Sequence, residues 1–150
     1  MKILIDTREQ EMLGFEPGLY IDSVERRALP FGDYACEING TVPNVYFERK
    51  SIADLWGTLT TGINRFKAEV QMALEANASL YLIIEGTMSD VYKGYEFSQV
   101  FGSQIIRTIF TYKIRYSVEP VFCPDRDTMR YYMIETFEAI MRNMKKEDSN

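Results

Sequence analysis

The chain has 150 residues, of which 46% are hydrophobic and 26% are charged, and this composition suits one folded domain with a sizeable core. It has no histidine and only two cysteines, Cys36 and Cys123, which excludes histidine-based catalytic triads, zinc sites and a disulfide framework. The net charge of -5 argues against tight nonspecific binding to a polyanion, but local positive groups around a cation could still hold nucleic acid. Acid–base or metal chemistry therefore depends on carboxylates, Lys, Arg, Tyr or Cys, and a metal held by carboxylates would be Mg²⁺ or Mn²⁺.

The N-terminus lacks the basic, apolar and small-residue order of a signal peptide. No apolar run approaches the roughly 20 residues that a membrane-spanning helix needs. We therefore expect an intracellular, cytoplasmic protein that does not contact a membrane.

Short runs rich in β-branched and aromatic residues, some with alternating polarity, predict strands. In chain order these runs are 2–6, 20–29, 33–38, 45–50, 80–84 and 120–122. The Asn39-Gly40 pair between the third and fourth runs is typical of a hairpin turn. The run at 80–84 is apolar on both faces, so we expect it at the centre of the sheet.

Apolar residues at helical spacing predict helices between and after these strands. The predicted helices begin at Ser51, resume after an interruption at 60–64, and then cover 88–95, 97–116 and the region that follows Pro124 and Asp125. The last helix carries one apolar seam, formed by Met129, Met133, Phe137, Ile140 and Met144. The polar tail at 145–150 is expected to fray. This order of elements predicts a single α/β domain over residues 1–150, with a mixed sheet flanked by helices.

The predicted hairpin brings acidic residues to one edge of the sheet. Asp33 starts the third strand and Glu48 lies near the end of the fourth, and a hairpin places such positions together. Glu48 and Lys50 share a face because side chains alternate along a strand. Two converging carboxylates would chelate a hard cation, and the lysine ammonium would lie beside its water. Ordinary surface charge at a strand end explains the same spacing.

Asp54 and Arg49 each have a structural and a functional interpretation. Ser51 and Asp54 match a variant of the helix capping box, and Asp54 could also belong to the site itself. Arg49 points away from Glu48, so it could pair with a carboxylate such as Asp54 behind the site.

Further charged residues could join the site or lie in solvent. Asp6, Arg8 and Glu9 follow the first strand, where they either approach the acidic cluster or belong to a solvated loop. Arg65 and Lys67 stand at the head of the second helical stretch, where they could meet phosphate through their charge and the helix N-terminus. Solvated helix charges are an equally good interpretation of that pair.

Several of these segments together resemble a known family. They are I-D-T-R-E at 5–9, G-D-Y at 32–34, E-R-K-S-I-A-D at 48–54, N-R-F at 64–66 and L-Y-L-I-I-E-G at 80–86. The combination closely resembles the nuclease domain of the xeroderma pigmentosum group F (XPF) family, whose signature is G-D followed after a variable gap by E-R-K-x-x-x-D. The E-R-K-x-x-x-D element is specific, and its order with the other segments strengthens the resemblance.

The resemblance implies a restriction-endonuclease-like fold of the PD-(D/E)xK type. It also implies metal-dependent hydrolysis of DNA phosphodiester bonds at branched, flap or fork structures, in repair or recombination. By this resemblance Asp33 and Glu48 would bind Mg²⁺ or Mn²⁺. Lys50 would orient or activate the attacking water and stabilise the charge that develops on phosphorus.

The resemblance gives supporting roles to the remaining residues. Asp6 would assist the placement of metal or water, and Arg49 and Asp54 would brace the metal-binding carboxylates. Arg8 and Arg65 would contact DNA phosphates, and Lys67 is a further DNA-binding residue. No carboxylate of the motif is replaced, which argues against the inert partner subunits that the family also contains.

One departure from the family pattern concerns DNA binding. Family members usually carry a tandem helix-hairpin-helix module, and no such pattern follows the last predicted helix. We therefore expect weak DNA affinity unless an accessory partner or a dimer adds positive surface, and the form resembles stand-alone prokaryotic or phage nucleases. A homodimer through 97–116 and the last helix is the expected assembly. Exonuclease or recombination-intermediate processing by the same site, and a non-catalytic DNA-binding or scaffolding module, are the alternative functions.

Overall fold

A computed structural model describes all 150 residues, which form six strands and five helices. The strands are β1 (Lys2–Ile5), β2 (Ser23–Arg26), β3 (Tyr34–Glu37), β4 (Val45–Ser51), β5 (Ser79–Glu85) and β6 (Val118–Cys123). The helices are α1 (Ile52–Leu59), α2 (Ile63–Glu75), α3 (Met88–Lys93), α4 (Gly102–Tyr116) and α5 (Arg126–Glu147). No helix combines the length and the apolar composition that crossing a membrane requires.

The strands form one mixed sheet in the order β2-β1-β3-β4-β5-β6. β1 runs parallel to β2 and antiparallel to β3, and β3 and β4 form an antiparallel hairpin. β4, β5 and β6 are parallel neighbours. All six predicted strands and the mixed sheet are therefore confirmed, although the second strand is only Ser23–Arg26 within the predicted 20–29.

The turn between β3 and β4 has the predicted chemistry. Asn39 and Gly40 adopt φ angles of 51° and 77°, the positive values that a tight hairpin turn of this kind requires. Ile38 and Thr41 exchange backbone hydrogen bonds across it at 2.8 and 2.9 Å. Tyr34 pairs with Phe47, whereas the register of the Ile38–Thr41 pair would place it opposite Val45, so the register shifts by two residues between the turn and the strands.

Both faces of the sheet are covered, because alternate residues of each central strand point to opposite sides. On one side Tyr46, Leu82 and Ile84 pack under α1, α2 and α4. On the other side Phe47 and Ile83 pack under α5. The apolar seam of α5 is confirmed as core, since Met129, Met133 and Phe137 are fully buried and Ile140 and Met144 pack beside them. Cys36 and Cys123 are free and buried.

Several helix boundaries differ from the sequence prediction. α2 begins at Ile63, inside the predicted interruption at 60–64, and α3 ends at Lys93 rather than at 95. α4 begins at Gly102, so 97–101 is not helical: Phe101 is extended, and its backbone N–H donates to the side-chain oxygen of Gln104 at 3.0 Å as the helix cap. Gly102 lies so close to the backbone carbonyls of Val91 and Tyr92 that no Cβ would fit, so this first position of α4 requires glycine. α5 extends to Glu147, where lysines in its last turn suit the negative end of the helix dipole, so only 148–150 lie beyond the helix.

Candidate active site

A cleft of about 700 Å³ opens between the β3–β4 hairpin and the α1–α2 corner. Its polar lining includes both carboxylates and the lysine of the predicted site, together with two arginines and further polar residues: Asp33, Glu48, Lys50, Arg8, Arg65, Glu69, Thr58 and Thr61. Asp6, Arg49, Asp54 and Lys67 do not line it. The structure therefore brings together five of the nine predicted site residues.

The Gly32-Asp33 pair enters this cleft through a constrained backbone. Gly32 has a φ of +64°, and a Cβ at this position would lie 2.8 Å from the carbonyl oxygen of Phe47. Only glycine fits such a conformation and such a close approach. The backbone N–H of Asp33 then donates to the Phe47 carbonyl at 2.7 Å, and this bond holds the Asp33 carboxylate beside the end of β4.

Alternation along β4 divides three consecutive charges between the two faces. Glu48 and Lys50 point into the cleft, where the Lys50 Nζ lies 3.2 Å from Glu48 Oε1. Arg49 points to the α5 side, but its backbone N–H donates to Asp33 Oδ2 at 2.7 Å. The main chain of Arg49 therefore orients the Asp33 carboxylate in the cleft, while the side chain of Arg49 lies on the opposite face of the sheet.

The pKa values of the two cleft carboxylates are raised when no cation is bound. Burial, and then the negative charge of Glu48, raises the pKa of Asp33 to about 8. Burial also raises the pKa of Glu48 above its usual value, while Lys50 lowers it in part. Two partly buried carboxylates at close range cannot both ionise cheaply, and a nearby positive charge would relieve both effects.

These donors fit a hard cation in part. No cluster of three or more His, Cys, Asp or Glu side chains is arranged to hold a metal ion. Asp33 and Glu48 supply two hard carboxylates, and one oxygen of Asp33 already accepts from Arg49. Mg²⁺ is commonly held by about one or two protein carboxylates with water and substrate phosphate completing its shell. The pair therefore suits Mg²⁺ or Mn²⁺ bound together with a phosphate rather than in a closed protein cage.

Asp6 lies behind the cleft and holds one of its arginines. Its Oδ1 accepts from the Leu29 backbone N–H at 2.8 Å, and its Oδ2 accepts from the Arg8 backbone N–H at 3.0 Å and from Arg8 Nε at 2.8 Å. Burial raises the pKa of Asp6, but these hydrogen bonds outweigh burial and keep it below the usual value. Because both carboxylate oxygens already accept hydrogen bonds, Asp6 is better suited to orienting Arg8 than to binding a metal directly.

The predicted pairing of Arg49 with Asp54 is wrong. Arg49 instead binds Glu9 through two hydrogen bonds, Nε to Oε2 at 2.9 Å and Nη2 to Oε1 at 3.1 Å. Both side chains are buried, with 4% and 6% exposure. Asp54 is exposed on α1. Its backbone N–H donates to the Ser51 side chain at 3.1 Å, and this bond is one of the two that the predicted capping box requires.

Two acidic residues of this region make contacts that the sequence did not predict. Glu9 was expected near the cluster or in a solvated loop, but its pairing with Arg49 was not predicted, since Arg49 is 40 positions away. Glu69 lies one helical turn after Arg65 on α2, and its side chain reaches the cleft. Spacing four residues after an arginine is typical of an ordinary helix pair, so only the fold shows where Glu69 lies.

The geometry agrees with a match to a protein family. The sequence profile of the ERCC4 domain matches residues 5–134, which include every residue of the cleft. This chain belongs to the ERCC4 domain family. A comparison with curated protein sequences gave no match.

Solved structures support the same fold. The structure described as XPF from Aeropyrum pernix aligns with a TM-score of 0.72 at 15% identity, over 99% of this chain and 69% of that chain. A second structure, XPF from Aeropyrum pernix in complex with DNA, aligns with a TM-score of 0.62 at 16% identity, over 97% of this chain and 66% of that one. The ERCC4 domain described here therefore has the restriction-endonuclease-like fold of the XPF nuclease domain, as the sequence predicted.

The raised pKa of Asp33 predicts a pH dependence of stability without metal. Below about pH 4, Asp33 is protonated in both the folded and unfolded states. Between that pH and about 8, only the folded state keeps the proton, so the stability contributed by protonated Asp33 is lost as pH rises through the folded pKa. Urea unfolding in EDTA should show falling stability across this window, and Asp33→Asn should flatten the profile. A wild-type profile as flat as that of Asp33→Asn would contradict the prediction.

The Glu9–Arg49 pair predicts a large loss of stability on substitution. Glu9→Gln removes the charge that compensates a buried guanidinium, and such a loss costs about 3–5 kcal/mol. Glu11→Gln is the matched control, because Glu11 is exposed and lies 3.7 Å from the same arginine. The control should change the free energy of unfolding by less than about 1 kcal/mol. Urea denaturation of the two variants checks this, and equal effects would contradict it.

Proposed function

We propose that this chain is a metal-dependent DNA endonuclease that hydrolyses phosphodiester bonds in branched, flap or fork DNA. The observation that carries the proposal is the convergence of Asp33, Glu48 and Lys50 in one cleft of an ERCC4 domain. The preference for branched DNA rests on family membership. The complex with DNA of the similar XPF from Aeropyrum pernix supports DNA as the substrate class. The family match and the single sheet support treating residues 1–150 as one nuclease domain.

In this proposal Asp33 and Glu48 hold Mg²⁺ or Mn²⁺. The bound cation would neutralise the two carboxylates, lower the pKa of a bound water and offset phosphate charge. Lys50, whose ammonium already contacts Glu48 at 3.2 Å, donates to the water or to the phosphate oxygen on which negative charge develops. Arg49 and Asp6 act from behind the cleft as positioning residues, and Asp54 has no contact that supports a role in the site.

Cations on the cleft walls would hold the DNA backbone. Arg8 lies in the turn that follows β1 and Arg65 in the first turn of α2, and both line the cleft. Phosphate contacts of this kind position the substrate without reading its sequence. Lys67 is exposed on α2 outside the cleft, so it would meet only DNA that extends beyond the cut site. An accessory protein could add further positive surface, since the whole chain is acidic.

Cleavage of end-labelled DNA tests the proposal. Flap, fork, duplex and single-stranded substrates are incubated with Mg²⁺, Mn²⁺ or EDTA. Wild type should cut flap or fork DNA near the branch with either metal. Asp33→Asn should lower the rate by about 100-fold or more because it removes a proposed metal ligand, and Lys50→Ala should do the same because it removes the cation beside the developing charge. The matched controls Glu75→Gln and Lys93→Ala change the same charges outside the cleft and should cut at the wild-type rate.

Each contrary result has a distinct meaning. Stepwise shortening from a DNA end would indicate an exonuclease. DNA binding without cutting, unaffected by Asp33→Asn, would indicate a scaffolding module. Cutting that persists in Asp33→Asn would show that the residues assigned here do not form the site.

We also propose that the chain forms a homodimer through 97–116. Three large apolar side chains of this segment, Phe97, Phe101 and Ile114, are strongly exposed. The seam of α5 is less available than the sequence suggested, because it packs in the chain's own core. Sedimentation should give twice the mass of one chain, and Ile114→Asp should give a single-chain mass. A wild-type monomer at high concentration would contradict the proposal.

A further inference from the structure

Two of the three cations that line the cleft are already paired with carboxylates that also support or form the proposed metal site. Arg8 Nε lies 2.8 Å from Asp6, which is buried behind the cleft. Lys50 Nζ lies 3.2 Å from Glu48, which belongs to the proposed metal pair. Neither Asp6 nor Glu48 could release its cation to a DNA phosphate without disturbing the site.

The third cation, Arg65, has a partner of a different kind. Its Nε lies 3.5 Å from Glu69 Oε1, and the two side chains are 84% and 49% exposed. This is the longest of the three contacts and is open to solvent, so the guanidinium can exchange Glu69 for another anion at little cost. Both residues line the cleft.

The charge of Glu69 also acts across the cleft. Burial raises the pKa of Glu48, and the negative charge of Glu69 adds to that rise. The hydrogen bond to Asp6 raises the pKa of Arg8, and Glu69 adds to that as well. Glu69 therefore contributes negative potential at the place where a phosphate would enter. It does not complete a three-ligand metal site with Asp33 and Glu48.

The cleft is lined by three cations, Arg8, Lys50 and Arg65, and by three acidic residues, Asp33, Glu48 and Glu69. Removing the negative charge of Glu69 therefore makes the cleft more attractive to a polyanion.

We propose that Glu69 sets the affinity of the cleft for DNA, because in the free protein it holds Arg65 and competes with a DNA phosphate for that guanidinium. The inference rests on the proposed function in that the competing ligand is a DNA backbone. Glu69 is a positioning residue for Arg65 rather than a catalytic one. Its effect on binding is greatest before the metal is bound, because no divalent cation then offsets its negative charge.

Fluorescence anisotropy of labelled flap DNA with Glu69→Gln tests this. The matched control is Glu75→Gln, an exposed residue of the same helix that does not line the cleft. In EDTA, Glu69→Gln should bind about two- to fivefold more tightly than wild type, which is the range for an exposed ion pair. Its log–log salt dependence should steepen by about 0.9, the value for one additional phosphate contact. Glu75→Gln should change neither quantity.

An Arg65→Ala background separates positioning from a general charge effect. If Glu69 acts mainly through Arg65, adding Glu69→Gln to Arg65→Ala should give a much smaller gain in affinity than it gives in the wild type. An equal gain with and without Arg65 would overturn the inference, as would identical DNA binding by Glu69→Gln and Glu75→Gln. A loss of Mn²⁺ binding in Glu69→Gln alone, measured by calorimetry, would also overturn it, since Glu69 would then be a metal ligand.

The outcome is distinguishable from that of the proposed function. Tighter binding by Glu69→Gln without cleavage by any variant in Mn²⁺ would support the role of Glu69 and overturn the nuclease. Normal cleavage by wild type, with no change in the DNA affinity of Glu69→Gln, would support the nuclease and overturn the role of Glu69. Failure of every variant to bind DNA in EDTA or in Ca²⁺ would overturn both.

Discussion

The position of the site depends on Arg49. Its backbone N–H binds the Asp33 carboxylate at 2.7 Å, and its guanidinium binds Glu9 on the other side of the sheet. These contacts join the end of β4 to the start of β3 and to the segment after β1. A buried guanidinium is tolerated only with such a partner, so the pair with Glu9 restricts where β4 can lie. The cleft carboxylates are therefore held by contacts made outside the cleft.

Repulsion between carboxylates governs the chemistry that this arrangement allows. Asp33 and Glu48 are close and partly buried, and both have raised pKa values because their charges are poorly solvated. A cation offsets that cost directly, and a phosphate brings further negative charge that the same cation and Lys50 can offset. Metal and DNA should therefore bind more tightly together than either does alone. Glu69 adds to the negative side of this balance without belonging to the metal pair.

Local sequence rules predicted the parts of the site that lie close along the chain. The Asn39-Gly40 turn predicted that Asp33 and Glu48 meet at one edge of the sheet, and the alternation of β4 put Lys50 on the same face as Glu48. The two-residue shift that pairs Tyr34 with Phe47 was not predictable from the turn. The contacts of Arg49 and Asp6 were not predictable in this way. Asp54 was a plausible partner for Arg49 because it is close in sequence, but it is exposed to solvent on α1. The partner is Glu9, which is distant in sequence and lies beside Arg49 because it follows the end of β1.

The sequence alone determined the order of strands and helices, the family resemblance and the hard-ligand character of any metal site, because these follow from residue type and short-range spacing. The tertiary structure decided which charges meet: Arg49 with Glu9, Asp6 with Arg8, and Glu69 with the cleft. It also decided that the seam of α5 is used within the core. The physical reason is that ion pairing and burial depend on distances in space, which are fixed only when the sheet and helices pack together.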